Sequence, residues 1–274
     1  MAPGLCTACG TQYRERPARC LICEDARQFV PPTGQAWTTP EALAATHVNG
    51  WRRLRPDLFA LRTEPAFAIG QRALLLRTPH GNLLWDCLAL LDAATVDLVA
   101  ALGGLAAIAI SHPHYYTAMN EWARAFGCPV WLHEADRAWV AHDGGALRYW
   151  RGAACEPLPG ITLLRVGGHF PGGTVLHSAA GSGTLLSGDV LQVVPDRAHV
   201  SFMYSYPNYL PLPASAVERI VATLDPFDYD SVYGSFANAE ITSGARLAVA
   251  RSAERYRALL DGRAPPGANA PASR

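Results

Sequence analysis

Three apolar, strand-like runs of this chain each end on a titratable side chain. NLLWD (82–86) ends on Asp86, AAIAISHPH (106–114) runs out into His112 and His114, and TLLSGD (184–189) ends on Asp189. A carboxylate or imidazole at the end of a buried strand is costly unless a cation or hydrogen-bond donors surround it. Open α/β sheets place their sites outside the carboxyl ends of their strands. The three runs therefore ask for sheets that bring their strand ends to one edge. LFALRT (58–63), FAIGQRALLLRT (67–78), PVWLH (129–133), PGITLLRVGG (159–168), TVLHSA (174–179) and YDSVYGS (229–235) read as further strands. Helical patterns lie at LDAATVDLVAALGG (91–104), TAMNEWARAFG (117–127), PASAVERIVATL (213–224) and GARLAVARSAERYRALL (244–260). Strands alternating with helices, with hairpins at the front of each half, predict an α/β domain of mixed sheets sandwiched between helical layers.

The amino-terminal segment is of another kind. CTACG and CLIC supply two Cys-x-x-Cys pairs, Cys6 with Cys9 and Cys20 with Cys23, in a stretch with no apolar core of its own. Four thiolates in two close pairs can enclose a tetrahedral zinc, although iron accepts the same ligands. The expectation is a structural zinc knuckle over residues 1–30 serving stability or docking. Two disulfides are disfavoured because no basic region followed by an apolar core opens the chain. PPTGQAW (31–37) reads as a linker. Thr39 as N-cap, Pro40 at the first helical position and Asn49-Gly50 as a stop then predict a helix, so that 31–57 is linker and helix. The main domain is expected over 58–262, and the Pro/Gly/Ala-rich stretch 263–274 as a disordered tail. Lys+Arg and Asp+Glu balance at 23 each, which argues against nucleic acid despite Arg14, Arg16, Arg19 and Arg27 near the knuckle. No run approaches the ~18 apolar residues of a membrane span. A cytoplasmic protein without membrane attachment is expected.

One more element completes a pattern. GGHFPGG (167–173) sets His169 between two glycine pairs, where backbone can approach closely. A strand ending in Asp86, a His-x-His strand end (His112, His114), an isolated His169 after Gly-Gly and Asp189 after Ser-Gly follow in an order that resembles the metallo-β-lactamase superfamily. The resemblance covers roughly residues 58–260. It implies that family's αβ/βα four-layer sandwich, with the site along one edge between the sheets. It also implies a first metal site of His112, His114 and His169, and in Asp189 the residue that usually bridges two metals. Two departures matter. The family's His-x-His-x-Asp-His element has Tyr116 and Thr117 at its last two positions here. The late strand that usually ends in another histidine reads VYGSFAN, with Ser235 in its place. One site is complete in ligand type and the other is dismantled.

The function so implied is a mononuclear metal-dependent hydrolase, in which a metal-bound hydroxide attacks an ester, thioester, lactone or amide carbonyl of a small-molecule substrate. Zinc is the expected ion, with iron as the alternative. Asp189 would be a fourth ligand or would orient and deprotonate the water. Tyr116, or its neighbour Tyr115, would donate a hydrogen bond to the developing oxyanion. His133 closes a strand that a parallel crossover should bring to the same edge, where it could serve as a substitute ligand. Asp86, Ser235 and Tyr204 are further candidate pocket residues. Tyr204 belongs to SFMYSYPNYLPLP (201–213), a proline-broken aromatic segment suited to a pocket wall, a lid or a contact in a homo-oligomer. Two other functions fit the residues. One is an iron dioxygenase acting on a sulfur substrate through His112, His169 and Asp189. The other is a non-catalytic binding protein with a degenerate site.

Overall fold

The structure, a computed structural model, describes residues 4–264, so the expected tail lies outside the described residues apart from Arg263 and Ala264. Seven strands form the first sheet in sequential order: β1 (Val48–Arg55), β2 (Leu58–Glu64), β3 (Arg72–Thr78), β4 (Gly81–Trp85), β5 (Ala107–Ala109), β6 (Val130–His133) and β7 (Leu147–Trp150). β1 to β4 pair antiparallel, with two-residue turns joining β1 to β2 and β3 to β4. β4 to β7 pair parallel, so β4, β5 and β6 all point their carboxyl ends at one edge. The second sheet runs β8 (Ala154–Leu158), β9 (Ile161–Arg165), β10 (Thr174–Ser178), β11 (Thr184–Leu186), β12 (Ser231–Tyr233) and β13 (Glu240–Ile241), with β11 and β12 parallel.

Side-chain alternation explains the layering. On β3, Leu74 and Leu76 face the second sheet and meet Leu163, Leu176 and Leu186. Ala73 and Leu75 face the opposite way, toward Val99 of α2 (Ala93–Ala101) and Trp122 of α3 (Met119–Phe126). The outer face of the second sheet, including Val175, Leu185 and Val232, packs on α4 (Ala214–Leu224) and α5 (Ala245–Leu260). Because both faces of each sheet are covered, the strands read as nearly unbroken apolar runs. The result is the αβ/βα sandwich that the sequence led us to expect.

The stretch 31–57 departs from its expected linker and helix. Thr39 does cap a helix, its side chain accepting from the Ala42 amide, but α1 (Pro40–Ala44) lasts only five residues. Val48–Arg55 is instead the edge strand β1, held in hairpin register with β2 from Val48 opposite Glu64 to Arg55 opposite Leu58. The capping signal is local and real, whereas the strand is dictated by the partner that follows it.

The four-cysteine knuckle is stapled to the sandwich. Gly4–Cys6 pairs with Gln12–Tyr13 and with Trp37–Thr38, so the knuckle extends beyond residue 30. Its core shares contacts with Ile69 and Trp139 of the main domain. The Gln12 amide donates to the Thr117 carbonyl, Trp139 Nε1 to Asp25 Oδ2, and Asn208 Nδ2 to the carbonyls of Ala26 and Gln28.

Candidate metal centre

The three strand ends meet as their sequence positions suggested. Asp86 follows β4, His112 and His114 follow β5, and Asp189 follows β11 of the other sheet. Gly188 makes the last approach possible. Its φ is +54°, and a Cβ there would lie 2.4 Å from Ser111 Oγ, so only glycine lets the two sheets close at this point. His169 enters from the glycine loop between β9 and β10. One ligand atom from each of His112, His114, His169 and Asp189 lies within 4.8 Å of all the others, and all four side chains are buried.

Hydrogen bonds fix which nitrogen His112 and His169 offer. Ser111 donates its amide and its hydroxyl to Asp86 Oδ1, at 2.7 and 2.8 Å. Its oxygen therefore accepts from His112 Nδ1–H at 2.8 Å, which leaves His112 Nε2 as a bare lone pair. That atom is buried without a partner and stands 3.7 Å from Asp189 Oδ2. His169 Nδ1 donates to the Met203 carbonyl at 3.1 Å, which turns its Nε2 inward to 3.3 Å from His114 Nδ1. Two nitrogens bound at 2.0–2.1 Å to a tetrahedral zinc would be about 3.3–3.4 Å apart. His114 presents Nδ1 to this point, and its Nε2 on the far side of the ring is buried without a hydrogen-bond partner among the described residues. These residues fit a metal ion by donor type, tautomer and spacing.

Electrostatics agrees. Burial, with the neighbouring imidazoles, holds His112 and His114 well below the ordinary histidine range, and burial takes His169 to about 4. All three rings are thus neutral at pH 7, as ligands must be. Burial raises Asp189 to about 6 and Asp86 to about 8, the latter opposed by the two donors from Ser111.

The remaining expected residues separate cleanly. Tyr115, not Tyr116, faces the centre: its hydroxyl donates to Asp189 Oδ1 at 2.7 Å. Tyr116 makes no hydrogen bond to the centre and lies in the core of the first sheet's helical side, where burial and then Asp136 raise its pKa. The turn at Pro113–Tyr115 is a single 3-10 turn, which aims consecutive side chains in different directions. Ser235 is buried, and its hydroxyl lies close enough to lower the pKa of both Tyr115 and Asp189 without a well-shaped hydrogen bond to either. His133 is not a ligand. Its Nδ1 accepts from the Ala135 amide, its Nε2 donates to the Gly152 carbonyl at 3.2 Å, and its ring sits edge-on to Trp150. A carboxyl-terminal strand position carried it to the right edge, and the following turn took it for a cap.

Sequence reasoning missed two residues that shape the site. Ser111 was visible only as the end of an apolar run, yet it links Asp86 to His112. Arg27 leaves the knuckle to donate from Nε to the His169 carbonyl at 2.6 Å, with its guanidinium carbon 4.3 Å from the Phe170 ring centroid and 4.5 Å from that of Tyr204. It shields the centre, is nearly buried, and pairs with Asp25 through Nη1. No local signal distinguishes it from the other knuckle arginines.

The knuckle presents a second metal-ligand set. Cys6 to Cys23 and Cys9 to Cys20 are each 3.5 Å apart between sulfurs, close to the ~3.8 Å that four 2.3 Å zinc–sulfur bonds imply. Hydrogen bonds from the neighbouring thiols lower Cys6 and take Cys20 to about 7. Burial raises Cys9 and hydrogen bonding raises Cys23, so the four cannot all ionise without a cation among them.

No model of a known protein family matches the sequence. The uncharacterized protein YmaE of Bacillus subtilis (strain 168) is 45% identical over 260 residues, covering 92% of this chain and 94% of YmaE. Among solved structures the chain is similar to VMB-1, with a TM-score of 0.58 at 11% identity over 77% of this chain and 98% of that one. It is similar to a metallo-β-lactamase of Cronobacter sakazakii with a HARLDQ motif, with a TM-score of 0.51 at 18% identity over 81% and 96% of the two chains. MEM-A1, a subclass B3 metallo-β-lactamase from a soil metagenome library, gives 0.51 at 17% identity over 78% and 94%. At such identities the likeness is one of fold.

Proposed function

The chain belongs to one family with YmaE and has the metallo-β-lactamase fold, and from that premise we propose that it is a metal-dependent hydrolase with one ion at the histidine centre. Its substrate would be a small molecule with an ester, thioester, lactone or amide carbonyl. The observation that carries this reading is the convergence of three neutral, lone-pair nitrogens and one carboxylate oxygen on a single point. His112 Nε2, His114 Nδ1 and His169 Nε2 would hold the ion, with Asp189 Oδ2 beside it. A zinc ion so held supplies Lewis-acid polarisation and lowers the pKa of water toward ~7.

The chain's own groups divide the remaining work. Asp189 Oδ2 orients the attacking water and accepts its proton. Tyr115 holds Asp189 Oδ1, so the carboxylate presents one fixed oxygen. Asp86 acts through Ser111 to hold His112 in its ligand tautomer. The mononuclear reading is supported by what surrounds Asp189. The Tyr115 hydroxyl takes its second oxygen, and Ser235 and Thr117 stand where further ligands would be needed. Thr117 is turned into the left-handed region at φ +32° and is packed against Gly10 of the knuckle.

A second reading has its own observation. The four ligands are 95% or more buried, and Arg27, Met203, Tyr204 and Tyr206 lie between them and the two clefts that flank the centre. A sealed centre suits a non-catalytic metal protein unless that cover moves. Metal analysis of the purified chain and of His112→Ala decides between them when joined to a screen of ester and thioester substrates. The hydrolase reading expects two metal ions per chain, one in the variant, and a loss of turnover of at least a hundredfold. Metal lost with no turnover on any substrate would leave the sealed centre, and an unchanged metal count would sink both readings. Iron in place of zinc would move the chemistry to oxygen.

A further inference from the structure

A cleft of about 700 Å³ lies beside the centre, between the glycine loop that carries His169 and the start of α4. Arg27, Arg165 and Arg219 line it, and no aspartate or glutamate does. We propose that this cleft binds a small molecule through a phosphate group held by these three arginines. The site is independent of whether the metal centre is catalytic.

The three guanidinium groups are differently committed, and each keeps donors free. Arg27 is nine-tenths buried. Its Nε is taken by His169 and its Nη1 by Asp25, while Nη2 has no hydrogen bond among the described residues. Arg165 donates only from Nε, to the Pro171 carbonyl at 2.9 Å. Arg219 is exposed. Among the described residues neither Arg165 nor Arg219 has a carboxylate within salt-bridge distance, whereas half of the other arginines do. Asp25 and Asp136 are engaged by Arg27 Nη1 and by the Gly172 amide. Unpaired guanidinium forks facing one concavity match the several oxygens of a phosphate, which a single carboxylate would under-use. α4 opens on the same cleft with Pro213 as its N-cap, which supplies no side-chain acceptor. Tyr204 and Leu212 add an apolar wall for an organic body. Arg27 joins the cleft to the metal centre, since the same guanidinium touches both.

The test follows backbone amide shifts of the full, metal-loaded chain at constant ionic strength, on titration with inorganic phosphate, with phenyl phosphate and with a short single-stranded oligonucleotide. Saturable shifts at residues 165–168 and 214–219, weakened at least tenfold in Arg165→Ala/Arg219→Ala, support the site. Arg219→Gln, a single exposed change, is the second variant and should weaken binding several-fold. Tighter binding of phenyl phosphate identifies an organic phosphate as the ligand, and tighter binding of inorganic phosphate identifies the free ion. Shifts that never saturate, or that are equal in the double variant because phosphate sits on the metal, overturn the proposal. So does an oligonucleotide that binds tenfold more tightly than either.

Discussion

Ser111 is the residue on which His112 depends. Among the described residues its oxygen is the only hydrogen-bond partner of His112 Nδ1, and its own proton goes to Asp86. Removing it leaves the ring free to flip or to change tautomer, and outer-shell partners of this kind are worth 10- to 100-fold in metal affinity. Ser111→Ala should therefore fold normally and bind the second of its two metals about tenfold to a hundredfold more weakly in a competition with a chromogenic chelator. Unchanged affinity would mean that packing against Tyr115 and Phe170 orients the ring without the hydroxyl. The same scale shows where reading from sequence stops. His112, His114 and Asp189 were legible as strand ends and His169 by its flanking glycines, and their grouping into one site came from the resemblance of their order to the metallo-β-lactamase superfamily. The choice between Tyr115 and Tyr116 was not, since it depends on the rotation of one short turn.

At the scale of elements, the knuckle acts on the centre through Arg27. A metal at the four cysteines would hold the segment that places Arg27 on the His169 carbonyl, and Ser205 anchors that segment by donating to the Arg27 carbonyl at 3.0 Å. Two variants separate the layers of this arrangement. Cys9→Ser/Cys20→Ser should carry one metal fewer and lose the remaining one to a chelator at least tenfold faster. Arg27→Ala should keep both metals and show a smaller acceleration of the same kind. Equal rates in the wild type and both variants would mean that the knuckle only docks. This relation could not be seen in the sequence, because 142 positions separate Arg27 from His169 and nothing local marks the pair. The edge strand Val48–Arg55 escaped for a similar reason, as its pairing partner decides its conformation more strongly than the helix cap before it.

For the whole molecule, stability as a function of pH has a marked contributor in Asp136, which ties the turn after β6 to the glycine loop of the second sheet by accepting from the Gly172 amide at 2.6 Å. Burial raises this carboxyl to about 7, against the opposing pull of the Gly172 amide, Arg27 and Arg165. The folded state then holds a proton between about pH 4 and 7 that the unfolded chain has released. Its contribution is full below about pH 4 and is lost as pH rises through 7. Asn at this position keeps the acceptor and has no proton to lose. Denaturant melts at pH 5 and pH 8 should show the wild type losing about 2 kcal/mol relative to Asp136→Asn. A difference that stays constant with pH would mean that the two arginines keep the carboxyl ionised throughout. The layered architecture itself was readable from alternation and strand-helix order, because covering both faces of two sheets leaves few other arrangements.

The cysteines of the knuckle precede the residues of the histidine centre along the chain, which also sets an order of assembly. All four cysteines leave the ribosome once Cys23 emerges, whereas the histidine centre is incomplete until Asp189 emerges 166 residues later. At ordinary rates of synthesis the interval is on the order of ten seconds or more. The thiolate site can take its ion while the imidazole site does not yet exist, and the surfaces that receive Arg27, at His169 and Ser205, appear late in the interval or after it. A chain built this way would meet an ion at each site one after the other. It can close over the second only after that ion has had its chance to enter.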